Sequence, residues 1–173
     1  MGTISLINME SNQSPTSINH IAISVPDLDT GINWYQEVMG FTIVRGPTEL
    51  TYDDIHVGKA LRNIFGSQFK RLKIVWMTSA NSIGIELFQF IQPEQLAHKK
   101  QVEYWHGGVI HIAVTERNIE VLLEKVSKSG GRQLSKIWEL DPKNHHKLVF
   151  CSDPFGNIIE IYSHSFDQFH ANR

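Results

Sequence analysis

Cysteine is nearly absent: Cys151 stands alone among 173 residues, so neither an internal disulfide nor a cysteine-rich zinc site can form. Positive charge is not in excess either, with 16 Lys and Arg against 18 Asp and Glu and a formal net charge of −2. A net basic field suited to nucleic acid or to anionic lipid is therefore missing. No stretch approaches the ~20 consecutive apolar residues of a membrane-spanning helix. The first seventeen residues contain no Lys or Arg and no apolar run of signal-peptide length, so secretory and mitochondrial leaders do not fit. These absences predict a cytoplasmic, soluble chain with no nucleic-acid and no membrane partner.

What is present is an ordinary globular proportion of apolar residues, 41%, and nine histidines. Asn19-His20-Ile21-Ala22-Ile23-Ser24-Val25 reappears as Ile110-His111-Ile112-Ala113-Val114-Thr115. Both alternate with period two, as strands do. Each precedes a segment with helical spacing, Ile32, Tyr35, Val38 and Met39 in the first and Ile119, Leu122, Leu123 and Val126 in the second. Glycine ends both, at Gly40 and at Gly130-Gly131. Three strand candidates follow each helix: Thr42–Val44, Arg71–Thr78 and Ile83–Ile91, then Arg132–Trp138, Lys147–Ser152 and Ile158–Ser163. The expected fold is α+β, with the pattern βαβββ occurring twice. Residues 1–17 are read as a flexible polar tail and 18–164 as a single domain. Within that domain module one spans 18–91, the connector 92–108 and module two 109–164. Residues 165–173 are read as a C-terminal tail. An extra helix is expected around His56–Phe65, on the surface or over the pocket mouth as a lid.

Alternation sorts the repeated strands into faces. Ile21, Ile23 and Val25 should pack beneath the following helix, leaving His20, Ala22 and Ser24 on the other face. The second module repeats this with His111, Ala113 and Thr115. The last strand of each module carries one carboxylate among apolar residues, Glu86 in Ile83–Phe88 and Glu160 in Ile158–Tyr162. A buried ionised carboxylate costs several kcal/mol unless a cation or hydrogen bonds compensate it. A single strand histidine or glutamate is more often structural. The recurrence of the pair at equivalent places favours a ligand set, His20, Glu86, His111 and Glu160, suited to one divalent transition metal such as zinc, nickel, cobalt, manganese or iron.

These segments, together with Pro26-Asp27-Leu28 and Asp153-Pro154-Phe155-Gly156-Asn157, resemble the vicinal oxygen chelate superfamily. That group includes glyoxalase I, methylmalonyl-CoA epimerase, extradiol dioxygenases and metal-free bleomycin-binding proteins. The resemblance implies that the two βαβββ modules form a U-shaped mixed sheet around a metal pocket, with ligands from the first and last strands of each module. It also implies a lyase or isomerase that chelates a small carbonyl or enolisable substrate through adjacent oxygens, with Glu160 or Glu86 as the catalytic base. Iron-dependent extradiol cleavage and metal-free binding are the alternatives. Ser24 stands where bacterial glyoxalase I has an arginine, and Phe90 where it has an asparagine, which argues against a glutathione substrate. By analogy the assembly is a homodimer, with modules paired either within one chain or across the dimer.

The face shared with the ligands should also carry Ser24, Phe88, Phe90, Tyr162 and His164, with His56 reaching in from the extra helix. Either Val75 and Met77 or Ile74 and Trp76 join them, depending on strand register. Such a lining suits a small, partly apolar molecule rather than a phosphate or coenzyme tail. His98 and His106 fall in the connector. His145-His146 are expected in a solvent-facing turn and His170 in the tail.

Overall fold

The computed structural model describes residues 14–53, 55–96, 104–105 and 107–171; the N-terminal tail through residue 13 and the connector histidines His98 and His106 lie outside them. The first module runs β1 (His20–Ser24), α1 (Leu28–Glu37), β2 (Thr42–Thr51), α2 (His56–Phe65), β3 (Arg71–Thr78) and β4 (Gly84–Gln92). The second runs β5 (Ile112–Thr115), α3 (Ile119–Lys128), β6 (Arg132–Gln133), β7 (Trp138–Asp141), β8 (His146–Ser152) and β9 (Ile158–Tyr162), followed by α4 (Phe166–His170). The fold is α+β, with a mixed sheet in each module. Sheet one has the order β1-β4-β3-β2. Sheet two has the order β5-β9-β8-β6, with β7 also paired to β8. In both, the first strand lies parallel to the last, and the remaining pairs are antiparallel. Each module closes its own sheet, and β1 and β5 are the terminal strands of theirs.

The aliphatic faces point where alternation places them. Ile23, Val25, Val75, Met77, Ile85 and Leu87 of module one share one buried cluster with Val149, Cys151, Ile159 and Ile161 of module two. Leu28, Ile32, Tyr35 and Val38 of α1 and Ile119, Leu122, Leu123 and Val126 of α3 complete it. The helix-bearing sides of both sheets thus meet in a common core, and the histidine-bearing faces lie on the opposite sides. Asp27 caps α1, accepting from the Thr30 backbone N–H at 2.9 Å and from its hydroxyl at 2.6 Å.

One polar joint crosses the core. The Asp153 carboxylate accepts from the backbone N–H groups of Phe155 and Asn157 and from the Asn157 side-chain amide. It also accepts from the Tyr35 hydroxyl of α1, at 2.8 Å. Asn157 in turn reaches the Ser24 carbonyl at 3.5 Å. The Asp-Pro-Phe-Gly-Asn turn is thereby a clasp between modules. Burial first, then the Asp153 charge, pushes the Tyr35 pKa well up. Burial also pushes the Cys151 thiol up to about 12, so Cys151 is core filling rather than a nucleophile.

Two expectations fail at the C-terminal end. Residues 165–173 do not all trail away. Ser165 and Gln168 form a capping box for α4, and Phe169 is buried to 1% exposure. His146 does not face solvent; it is 8% exposed, with its ring against His164 and Phe169. Only His145 of that pair projects outward, at a left-handed φ of 54°. No helix among the described residues is long and apolar enough to cross a membrane.

Candidate metal centre

Strand pairing puts one residue from each strand of sheet one into a row across the face away from α1: Ala22, Glu86, Trp76 and Arg45. The register thus selects Ile74 and Trp76, not Val75 and Met77, for the histidine-bearing face. His20 Nε2 lies 3.4 Å from Glu86 Oε2. The other imidazole nitrogen, Nδ1, pairs with Asn19 Oδ1 at 2.8 Å. An Nδ1–H donated to that oxygen would leave a lone pair on Nε2, the tautomer a metal ligand needs. Gly84 stands beside His20 in the register, and a Cβ there would come within 2.9 Å of the His20 Cβ. A larger residue would displace the imidazole. The second carboxylate oxygen, Glu86 Oε1, accepts from the Trp76 indole N–H at 2.8 Å.

Sheet two repeats the pair with different support. His111 Nε2 lies 3.0 Å from Glu160 Oε2. Glu160 is buried, 6% exposed, whereas the Glu86 side chain is 20% exposed. Ala113, Glu160 and Phe150 form the row, and the Phe150 ring meets His111 edge-on at 5.3 Å. His111 Nδ1 is buried without a hydrogen-bond partner among the described residues. Ala22 and Ala113, next to the two pairs, are both exposed, so each pair opens onto space. Two donors about 2.1 Å from one cation sit about 3.0–3.4 Å apart at octahedral to tetrahedral angles, which is the spacing found in both pairs. The two nitrogen and two carboxylate donors therefore fit a divalent metal. They come as two half-sets: among the described residues no three His, Cys, Asp or Glu side chains gather into one group.

The remaining site residues divide between open and covered. Helix α2 lies on the histidine-bearing face of sheet one. Its Phe65 contacts Phe88 and Phe90 at ring distances of 5.9 and 5.4 Å, and Leu61 joins the second apolar cluster with Phe69, Leu72, Ile74 and Phe88. Phe88 and Phe90 are thus floor under α2 rather than bare pocket wall. His56 opens α2 and is exposed. Ser24 is partly exposed at the end of β1. On sheet two, α4 does what α2 does on sheet one, with Phe169 edge-on to Tyr162 at 4.7 Å. His164 borders an open cavity of about 410 Å³ with Arg117, His145, Lys147, Ser163 and Gln168. Desolvation first, then the neighbouring His146 and Arg117, lower the His164 pKa. Trp76 was one of two register-dependent options in the sequence. Arg45 carried no signal there, because its placement depends on irregular pairing in β2.

The comparisons agree with this architecture. The sequence model of the Glyoxalase/Bleomycin resistance protein/Dioxygenase superfamily matches residues 17–161. A glyoxylase I 4 of Arabidopsis thaliana is 25% identical over 146 residues, covering 84% of this chain and 70% of the relative. A 2-epi-5-epi-valiolone epimerase of Actinomyces sp. is 22% identical over 151 residues, covering 84% and 78%. The crystal structure of a glyoxalase family protein from Bacillus cereus superimposes with a TM-score of 0.72 at 17% identity, covering 89% of this chain and 97% of that one. The repeated modules, the paired ligand faces and the match across nearly the whole chain make this protein a member of the glyoxalase/bleomycin resistance protein/dioxygenase superfamily.

Proposed function

We propose that this chain is a divalent-metal-dependent lyase or isomerase acting on a small carbonyl or enolisable substrate, with His20, Glu86, His111 and Glu160 as metal ligands. The observation that carries the reading is the repetition of one His–Glu pair, Nε2 toward Oε2, on equivalent strands of both modules. The similarity to an epimerase and to a plant glyoxylase supports isomerisation over binding alone. A bound divalent cation would act as a Lewis acid toward adjacent substrate oxygens, lowering the energy of an enolate.

The chain's own residues divide the rest of the work. Asn19 fixes the His20 tautomer. Trp76 occupies Glu86 Oε1 and holds that carboxylate in one orientation, leaving Oε2 as its donor oxygen. Among the described residues Glu160 has no such donor, only His111. Glu160 is the freer base, taking the proton from the substrate carbon beside the carbonyl and returning it after rearrangement. Phe150, edge-on to His111, adds an apolar wall beside that pair that limits water at the reacting carbon.

The half-sets are completed by a second copy of the chain. Among the described residues β1 and β5 each end a sheet with no strand on their outer edge, and an unpaired edge strand is a ready surface for another strand. Pairing β1 of one protomer with β5 of its partner would extend both sheets and bring His20 and Glu86 to the partner's His111 and Glu160. Two equivalent sites form per homodimer, as two-fold symmetry requires.

Elemental analysis of protein purified without added metal tests the reading. One divalent metal per chain is expected. Metal held about 100-fold above its Kd should add about 2.7 kcal/mol of stability, raising Tm by roughly 5–10 °C in a domain of this size. Glu160→Gln should lose most of both effects. Wild-type protein with neither metal nor a metal-dependent Tm would refute it, and iron with dioxygen uptake would transfer the protein to the oxygenases.

A further inference from the structure

Alternation along β2 would put Ile43 on the helix side, Val44 on the ligand face and Arg45 back on the helix side. The observed pairing differs. Ile43 opposes Met77 and Arg45 opposes Trp76, so Val44 is an extra residue; a second irregularity follows between Arg45 and Thr48. Without the first bulge Arg45 would oppose Val75, which is wholly buried in the main core. An arginine there would lie on the helix side, away from His20 and Glu86. The bulge instead turns it onto the face that bears His20 and Glu86, the re-aiming that bulges characteristically perform. Gly46 makes the second irregularity feasible. It has a φ of +92°, and a Cβ on it would come 3.1 Å from the Ile74 carbonyl, so only glycine fits without a shift.

The re-aimed guanidinium lies over the Trp76 ring, 5.3 Å from its centroid, and Trp76 is hydrogen-bonded to Glu86. Arg45 is exposed and makes no hydrogen bond or ion pair among the described residues. Among the described residues its five donors have no hydrogen-bonding partner, and a guanidinium held beside an indole is suited to recognising oxyanions. Two strand spacings, about 9–10 Å, separate the Arg45 and Glu86 backbones. A small molecule coordinated at the His20–Glu86 pair can therefore bring an anionic group within reach of Arg45.

We propose that Arg45 is the specificity-determining residue of the site, receiving a carboxylate or phosphoryl group of the substrate while its carbonyl end lies at the His20–Glu86 pair. The assignment rests on the metal-site reading for where the carbonyl end goes, and on the bulge and the Arg45–Trp76–Glu86 row for the cation. It revises the expectation of a small, partly apolar substrate without a phosphate, which came from the aromatic lining and did not include Arg45. The substrate class becomes a short hydroxy- or keto-acid, or a small phosphorylated carbonyl compound.

The Trp76 indole N–H, between Arg45 and Glu86, is the reporter. In ¹H–¹⁵N NMR of the metal-free full-length protein, its resonance should shift saturably with inorganic phosphate or with succinate. Sodium chloride at matched ionic strength should not shift it. Arg45→Gln should weaken the binding at least about tenfold and Arg45→Lys should retain part of it, as expected when a charge-assisted hydrogen bond is lost or partly replaced. Response to phosphate alone assigns a phosphoryl substrate, and response to succinate alone assigns a carboxylate. No saturable shift with either anion, an equal shift with chloride, or unchanged binding in Arg45→Gln would overturn the proposal. So would loss of metal in Arg45→Gln relative to wild type, which would make Arg45 a support of the Trp76–Glu86 arrangement rather than a receptor for substrate. Metal content is a separate readout. Arg45-dependent anion binding in a protein that never takes up metal keeps this assignment and removes the metal reading, and metal without anion binding does the reverse.

Discussion

Tyr35 and Asp153 are the residues on which the relation between the modules depends. Asp153 is 2% exposed, Tyr35 is fully buried, and their hydrogen bond joins α1 to the turn before β9, the strand that carries Glu160. Tyr35→Phe keeps the ring packing against Trp34 and Phe41 but removes one donor from a buried carboxylate. That should cost about 1–3 kcal/mol, measured as a lower urea midpoint at unchanged m-value; a change under 0.5 kcal/mol would show that the clasp is not stabilising. The Asp-Pro-Phe-Gly-Asn turn was visible in the sequence as a family feature, but its link to Tyr35 was not, because nothing in a linear pattern pairs residues from separate modules. His20, Glu86, His111 and Glu160 were legible because period-two alternation assigns each to a face, and the repeat makes two weak signals agree. Arg45 was illegible for the same reason: a bulge breaks the alternation on which the reading depended.

At the scale of elements, local chemistry sets where helices begin. Asp27 is held below the usual aspartate pKa, first by the Thr30 hydroxyl and then by its backbone N–H. Asp27→Ala should cost about 1 kcal/mol at pH 7. The sign of the pH dependence follows from the lowered pKa. The contribution of the ionised cap is fully present above about pH 3.9, the ordinary aspartate value, and is lost as pH falls through the lower folded value. The gap between wild type and Asp27→Ala in urea denaturation should therefore narrow below that range. A gap that widens on acidification would contradict the assignment. Both main helices and most strands were readable from such signals. Helix α2 was expected within its observed bounds, with the surface and the pocket mouth both open as its position, since an amphipathic pattern marks an apolar stripe without naming what it covers. Helix α4 was missed altogether: five residues are too few for periodicity to register, and its burial depends on Phe169 packing against Tyr162 and His146, contacts that no periodic pattern marks. The two additions are parallel in effect, each covering one end of a ligand-bearing face and narrowing the space around the pairs.

For the molecule as a whole, the arrangement of modules decides what the repeat can do. Within one chain the helix-bearing sides of both sheets share a core, so the histidine-bearing faces point away from it, and among the described residues the two His–Glu pairs do not gather into one group. The repeat predicted two halves of one pocket, and each module holds one His–Glu pair. The account requires that halves from different chains meet. Its central claim is a four-ligand site built from His20 and Glu86 of one protomer and His111 and Glu160 of its partner, and complementation tests it directly. One variant carries His20→Ala with Glu86→Gln, and the other carries His111→Ala with Glu160→Gln. Each alone retains only half a ligand set per site and should lose its metal on dialysis against a weak chelator. Co-refolded in equal amounts, half the dimers should be mixed, each with one intact site, so about a quarter of the wild-type metal content should return. Recovery at that level is the predicted result; no recovery from a co-refolded mixture whose wild-type counterpart binds metal would contradict it.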